Sequence, residues 1–294
     1  YYQAIIQVSS WRVGRFSLPE TSPSSQDSRV KITEALQQAT TLLVDAGVAD
    51  ADVNAQWLMT HLLGCSRSEL ALKLSHQLSA KQQALWDEIV AKRIQRIPLQ
   101  HIIGTVNFCG LELAVDNSVL VPRPETELLA EAAWSMAAAM DQAVVLDIGT
   151  GSGCLAISIA LNAKNTIVHA LDICPKALKV ARSNARRHGV SSRITFHQAD
   201  MRRPLPMGGL LDLIVSNPPY IPSRDIETLE VEVREHDPRL ALDGGKDGLD
   251  YYRYLIASCL PCIRSGGRFL LEVGDGQAAN VVALIDDQGG RVLE

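Results

Sequence analysis

The chain has 294 residues, 47% of them hydrophobic, with a formal net charge of −5 and a mean hydropathy near zero. These values are typical of a globular protein of one or two domains and exclude a disordered chain. No apolar run is long enough to span a bilayer, no secretory leader is apparent, and no long basic run favours broad binding to nucleic-acid phosphates. We therefore expect a cytoplasmic, monomeric protein without direct nucleic-acid or membrane contacts.

The first third of the chain predicts a tail and then a small helical domain. Residues 1–28 are serine-rich and lack periodicity, so we expect them to be disordered or artificially added. Apolar residues then recur at helical spacing, and Ser66 and Ser79 each open a capping box that Glu or Gln completes three residues later. The pattern predicts an all-helical domain over residues 29–97.

The rest of the chain changes from a helical period to strand-like runs. Residues 98–124 contain short β-like runs broken by glycine and asparagine, which predict a connecting β-hairpin. From Ala143 onward, apolar runs alternate with helical segments, as in a mostly parallel sheet with crossover helices. The five runs read AVVLDIG, TIVHALD, ITFHQAD, LDLIVSN and GRFLLEV. The fold class is therefore α/β and Rossmann-like over residues 125–294.

A glycine-rich segment, LDIGTGSG, follows the first of these strands. Ligands of parallel sheets bind beyond the carboxyl ends of the strands. Cys154 stands where a dinucleotide fingerprint needs its third glycine, which disfavours NAD. Asp147 would repel a pyrophosphate but suits a ligand that carries an ammonium and a sulfonium, as S-adenosylmethionine does. A plain tight turn is the alternative. The candidate cofactor-binding residues of this segment are Asp147, Gly149, Thr150, Gly151, Ser152 and Gly153.

Carboxylates also end the next two strands. Asp172 ends the second, where it can accept hydrogen bonds from both ribose hydroxyls of a nucleoside; its alternative role is to start the helix after Cys174. Asp200 ends the third strand and could accept the exocyclic amine of an adenine, with Met201 against the ring face. Both residues are also compatible with ordinary loop positions.

The fourth strand ends in the stretch NPPY, residues 217–220. Two consecutive prolines cannot continue a helix or a central strand, so they hold the preceding Asn217 stiffly. A planar amide or amine nitrogen is a weak nucleophile and must be oriented rather than deprotonated. The Asn217 side-chain oxygen and the Pro218 carbonyl could accept its two N–H bonds, Pro219 would keep these acceptors fixed, and Tyr220 could cover the flat substrate group. For Tyr220 the alternative is packing against the following loop.

The six cysteines do not predict a metal or redox site. Only Cys259 and Cys262 form a C-x-x-C pair, and neither a second pair nor histidines at ligand spacing accompany them. We expect reduced thiols and no metal.

Taken together, NPPY, DIGTGSG, the segment LVPRPETE and the later DPRLALDGGKDGLDYYR resemble the HemK/PrmC family, the release factor glutamine N5-methyltransferases. The resemblance extends from about residue 30 to the end. It implies a class I S-adenosylmethionine-dependent methyltransferase domain that uses no metal. It also implies that the N-terminal helical domain helps dock the release factor. Members usually continue through a last pair of strands, so we expect this domain to lack them.

The resemblance also implies a reaction and its residues. The methyl group of S-adenosylmethionine goes to the side-chain amide nitrogen of the glutamine in the Gly-Gly-Gln loop of a peptide chain release factor. Residues 149–153, Asp172, Met201 and Asn217 would contact the methyl donor, and residues 217–220 the glutamine. The alternatives are an amino-methyltransferase acting on adenine in DNA or RNA, or one acting on a glutamine of a ribosomal protein. The acidic long connection over residues 221–248 is either a substrate-covering loop or a solvated surface.

Overall fold

The computed structural model describes residues 30–203, 205 and 209–292, so the tail predicted over residues 1–28 lies outside the described residues. The N-terminal unit contains the helices α1 (Ile32–Asp45), α2 (Ala51–Leu63), α3 (Arg67–Lys73) and α4 (Ala80–Ile94). The Ser66 and Ser79 hydroxyls accept the amides of Glu69 and Gln82, each at 3.3 Å, which confirms both capping boxes. The unit has its own apolar core, in which Leu43, Leu58 and Trp86 are buried.

The connecting segment contains a short helix as well as the predicted hairpin. Helix α5 (Leu99–Ile103) precedes β1 (Thr105–Phe108) and β2 (Leu111–Ala114), which pair antiparallel. Pro98 is the N-cap of this helix, and the helix ends at Gly104, whose φ of +82° suits glycine. The hairpin is therefore shorter than the range predicted for it, and a loop follows it.

The C-terminal unit alternates helices and strands. Its elements are α6 (Glu125–Ala138), β3 (Val144–Ile148), α7 (Cys154–Asn162), β4 (Ile167–Asp172), α8 (Pro175–Arg187), β5 (Ile194–Gln198), β6 (Leu211–Ser216), α9 (Val231–His236), α10 (Asp250–Cys259), β7 (Ile263–Leu271) and α11 (Ala278–Asp287). All five predicted strands are present.

The five strands form one parallel sheet in the order β5-β4-β3-β6-β7. The chain leaves β3 for β4 and β5 on one side and later returns to place β6 and β7 on the other, so the switch point lies between β3 and β6. Buried apolar side chains of these strands pack against helices on both faces. The predicted Rossmann-like α/β fold is confirmed, and its switch point brings the glycine loop and NPPY to the same edge.

Across the described ranges, no helix combines the length and the apolar character that a bilayer crossing requires.

Candidate active site

A cavity of about 360 Å³ opens where β3, β4 and β6 end, a volume within the range usual for small-molecule sites. The predicted site residues that line it are Gly149, Gly151, Asp172, Asp200, Met201, Asn217 and Pro219. The predicted residues that do not line it are Asp147, Thr150, Ser152, Gly153, Pro218 and Tyr220. Further lining residues come from residues 117–120 after the hairpin, from Pro238, Leu240 and Ala241, and from Tyr251. The last four belong to the motif DPRLALDGGKDGLDYYR, but the sequence pattern gave none of them an individual role in the site.

Backbone hydrogen bonds fix the glycine loop at the edge of the cavity. The amides of Gly149 and Thr150 donate to the Leu171 carbonyl at 2.8 and 3.0 Å, which ties the loop to the end of β4. Gly149 has a φ of +75°, and a Cβ there would lie 3.6 Å from the Met201 Cε. Gly153 serves packing instead, because a Cβ there would come within 3.0 Å of the Ile157 side chain. The loop is therefore a wall that a ligand can approach closely.

Asp147 lies beneath the loop, and its placement differs from the prediction that it faces a cationic ligand. It is fully buried, and its Oδ2 accepts the Thr150 hydroxyl at 2.6 Å and the Ala156 amide at 3.1 Å. Burial raises the pKa of Asp147 to about 7, although these two hydrogen bonds oppose the rise. The carboxylate thus fixes the loop conformation and the start of α7.

Asp172 holds the loop and also faces the cavity. Its Oδ2 accepts the Gly151 amide at 2.9 Å, and its Oδ1 accepts the Cys174 amide at 2.8 Å, just ahead of α8. Burial raises the pKa of this carboxyl. Because each carboxylate oxygen has a further lone pair, the helix-start contact and a hydrogen bond to a ribose hydroxyl are compatible.

Asp200 and Met201 stand at the end of β5 on the same cavity wall. The Arg202 guanidinium donates to both Asp200 oxygens, with Nε at 2.9 Å from Oδ1 and Nη2 at 2.8 Å from Oδ2. This pairing lowers the pKa of Asp200. The carboxylate is therefore ionised and fixed in direction, and it can still accept an amine.

The NPPY segment is supported from behind by the later glycine-rich motif. Pro218 and Pro219 are buried, and the Ile221 amide donates to the Leu242 carbonyl at 3.0 Å. A Cβ on Gly244 would lie 2.8 Å from the Tyr220 Cα and 2.9 Å from the Pro219 carbonyl oxygen. Only glycine fits there, so the motif DPRLALDGG packs directly against the backbone of NPPY.

The Asn217 side chain contacts two residues that the sequence pattern did not single out. Its Nδ2 donates to the Thr126 hydroxyl at 3.1 Å, and this hydroxyl donates to Glu272 Oε2 at 2.7 Å. Burial raises the pKa of Glu272, while hydrogen bonds from Thr126 and Asn217 oppose the rise. Glu272 directly follows β7, so the strand-end rule used for Asp172 could have found it.

Ion pairs anchor the connection over residues 221–248. Arg123, from the segment LVPRPETE, donates to Asp237 Oδ2 at 2.6 Å. Glu232 of α9 accepts Arg93 Nη2 at 2.7 Å and Arg96 Nη2 at 2.5 Å, both from the helical unit. Since Pro238, Leu240 and Ala241 line the cavity, this connection is part of the site wall rather than only a solvated surface.

The cavity fits a ligand that combines a nucleoside with a cationic group. Its glycine wall admits close approach, Asp172 offers acceptors for vicinal hydroxyls, and Asp200 offers an acceptor for an amine. The ionised Asp200 and the partly buried Asp172 favour a positively charged ligand over a pyrophosphate.

Comparison with known proteins gives matches to both units. The family model "PrmC N-terminal domain" matches residues 34–104, and the model "Methyltransferase small domain" matches residues 125–236. Among solved structures, TrmN from Thermus thermophilus is 26% identical with a TM-score of 0.40, covering 53% of this chain and 40% of that chain. The sheet domain is a class I S-adenosylmethionine-dependent methyltransferase domain.

Curated relatives match over most of the chain. A release factor glutamine methyltransferase of Geobacter sulfurreducens is 41% identical over 247 residues, which cover 84% of this chain and 85% of that protein. One of Chlorobaculum tepidum is 38% identical over 262 residues, covering 86% and 89%. At these identities and this coverage, the chain belongs to the release factor glutamine methyltransferase family.

Proposed function

We propose that this chain transfers a methyl group from S-adenosylmethionine to the side-chain amide nitrogen of the glutamine in the Gly-Gly-Gln loop of a peptide chain release factor. The observation that carries the proposal is the position of Asn217. Its side chain lines the same cavity as Gly149 and Asp172, and its amide nitrogen is already bonded to Thr126, which leaves the amide oxygen available for a substrate. A ligand held by the loop thus ends beside an acceptor suited to a carboxamide.

The residues of the chain divide into those that hold the methyl donor and those that hold the glutamine. Asp172, Asp200, Met201 and the glycine loop would hold the donor. When bound, S-adenosylmethionine supplies an electrophilic methyl group on a sulfonium and leaves as S-adenosylhomocysteine.

Asn217 and Pro218 would orient the nucleophile. An amide nitrogen is planar, so accepting both of its N–H bonds at Asn217 Oδ1 and the Pro218 carbonyl turns its lone pair toward the methyl carbon. Among the described residues, no group donates a hydrogen bond to either of these two oxygens. Transfer would form the nitrogen–carbon bond as the carbon–sulfur bond breaks, and the methylated nitrogen would then release one proton.

Tyr220 would cover the flat face of the glutamine amide. Burial raises the pKa of the Tyr220 hydroxyl, and the nearby Glu272 raises it further, so the ring stays neutral. The Gln277 amide donates to the Tyr220 carbonyl at 2.8 Å, which fixes the backbone at this end of NPPY. We assign Tyr220 to substrate contact rather than to proton transfer.

The helical unit over residues 29–97 is proposed to help dock the release factor, with the chain acting as a monomer and without direct contact to nucleic acid or membrane. The net charge of −5 supports this view over phosphate-dominated binding. The release factor as substrate is inferred from the relatives, which are release factor glutamine methyltransferases. Transfer to a glutamine amide is supported by the acceptors at Asn217 and Pro218.

A methylation assay tests this function. The purified chain is incubated with methyl-labelled S-adenosylmethionine and, separately, with a release factor, a ribosomal protein substrate of glutamine methylation, and adenine-containing DNA and RNA. We expect one methyl group on the loop glutamine peptide by mass spectrometry, and none on a release factor whose loop glutamine is replaced by asparagine. Label on nucleic acid or on the ribosomal protein, with none on the release factor, would overturn the proposal.

A further inference from the structure

Three side chains from separate elements form a hydrogen-bonded series behind NPPY. Asn217 follows β6, Thr126 lies in the first turn of α6, and Glu272 follows β7. Asn217 Nδ2 lies 3.1 Å from Thr126 Oγ1, which lies 2.7 Å from Glu272 Oε2. Thr126 is only 2% exposed, so bulk water does not compete for its hydroxyl. Which group donates and which accepts at each step of the series depends on the position of the Thr126 proton.

The protons do fix that direction. A carboxylate only accepts hydrogen bonds, and a hydroxyl has a single proton to give. The proton of Thr126 goes to Glu272, so only a lone pair of this hydroxyl faces Asn217. The Asn217 group that meets a lone pair must be the NH₂, and the Oδ1 atom is then turned to the opposite side of the planar amide.

Glu272 is itself fixed by backbone contacts. Its amide donates to the Ser216 carbonyl at 3.0 Å, and its carbonyl accepts the Tyr252 hydroxyl at 3.0 Å. Tyr252 is fully buried, so this end of β7 is held against the core. The carboxylate is thus a rigid acceptor that attracts the Asn217 nitrogen and repels the Asn217 oxygen.

We propose that Thr126 and Glu272 are positioning residues that keep the Asn217 amide oxygen directed at the substrate nitrogen. This inference rests on the proposed function and adds to it the means by which Asn217 is oriented. A reversed Asn217 amide would present N–H donors to a substrate nitrogen that itself carries N–H donors. Such an arrangement repels the substrate amide and removes the acceptor that turns its lone pair toward the methyl group.

A matched pair of substitutions at Thr126 tests the proposal. Thr126→Val keeps the shape and removes the hydroxyl, whereas Thr126→Ser keeps the hydroxyl and removes the methyl group. We expect Thr126→Val to lower kcat for release factor methylation on the order of a hundredfold. Its KM for the release factor and its calorimetric affinity for S-adenosylmethionine should change little, and Thr126→Ser should retain most of the wild-type kcat.

Glu272→Gln provides a second variant in case Thr126→Val does not fold, which thermal unfolding would reveal. A glutamine can donate to Thr126, which frees this hydroxyl to donate to Asn217 Oδ1 and reverse the amide, so kcat should again fall while cofactor affinity is kept. Equal loss in Thr126→Val and Thr126→Ser, or a wild-type kcat in folded Thr126→Val or Glu272→Gln, overturns the inference alone. An inactive wild-type chain that binds S-adenosylmethionine overturns the proposed function and, with it, this inference.

Discussion

At the residue scale, the positions of two carboxylates show that one has a structural role and the other faces the ligand cavity. Asp172 is the last residue of β4 and Asp147 the last but one of β3, yet only Asp172 lines the cavity. Asp147 is buried under the glycine loop, and its Oδ1 has no hydrogen-bond partner among the described residues. Asp147 therefore stabilises the geometry of the loop, and burying its charge opposes that stabilisation.

This burial predicts a pH dependence of stability at Asp147. The pKa is raised from 3.8 to about 7 on folding, so between these values the folded state holds the proton more tightly than the unfolded state. The contribution of Asp147 to stability is present below about pH 4 and is lost as the pH rises toward about 7.

We expect the free energy of unfolding of Asp147→Asn, relative to wild type, to rise by about 1–4 kcal/mol across that range. Urea denaturation of both chains at several pH values provides the measurement. Parallel pH profiles for the two chains would contradict the shifted pKa.

The sequence predicted the ligand-facing residues where a simple rule applied and missed those where contacts are long-range. Asp172 and Asn217 were identified because they end parallel strands, and such ends converge at one edge. Thr126 contacts Asn217 across 91 residues of chain, and no spacing pattern relates them. Asp147 also lies near the end of a strand, but whether its side chain points under or over a loop depends on packing that spacing does not encode.

At the element scale, strands and capped helices were predictable, and the hairpin bounds were not. The capping boxes at Ser66 and Ser79 are local and were confirmed. Helix α5 has only five residues, too few to show a period, so its sequence reads equally well as an extended run. The contact of α9 with the helical unit could not be predicted either, because Arg93 and Arg96, the partners of its Glu232, are distant in sequence.

Helix α9 is joined to the helical unit by Glu232, which lies between two arginines. Side chains of Glu232 and Arg93 are 14% and 7% exposed. Burial alone would raise the pKa of Glu232, but hydrogen bonds from Arg96 and Arg93 outweigh it and bring the pKa to about 2. The stabilisation is present above about pH 4.5 and is lost as the pH falls toward about 2.

We expect Glu232→Gln to be destabilising, because it leaves two guanidinium groups facing each other without a counter-charge. Removing one partner of a buried pair costs about 3–5 kcal/mol, and this partly exposed pair should fall near the low end. Urea denaturation at neutral pH gives the value. Glu235→Gln on the same helix is the control, since its carboxylate is 55% exposed, and equal effects of both substitutions would refute a specific role for Glu232.

At the scale of the whole molecule, the three motifs beyond the glycine loop converge on one site. LVPRPETE supplies Arg123 and Thr126, DPRLALDGG supplies Asp237 and Gly244, and each contacts the NPPY region or its supporting connection. The same connection meets the helical unit through Glu232. The unit proposed to dock the release factor is thus physically joined to the wall of the site that would methylate it.

The orientation of the glutamine amide by Asn217 is tested most directly by the single-turnover rate of methyl transfer to a release factor. Asn217→Ala removes the side-chain acceptor, and we expect the rate at saturating S-adenosylmethionine to fall by a factor of about a hundred or more. Thermal unfolding of the variant should match that of the wild type. A folded Asn217→Ala chain that methylates the release factor at the wild-type rate would contradict the assignment of Asn217.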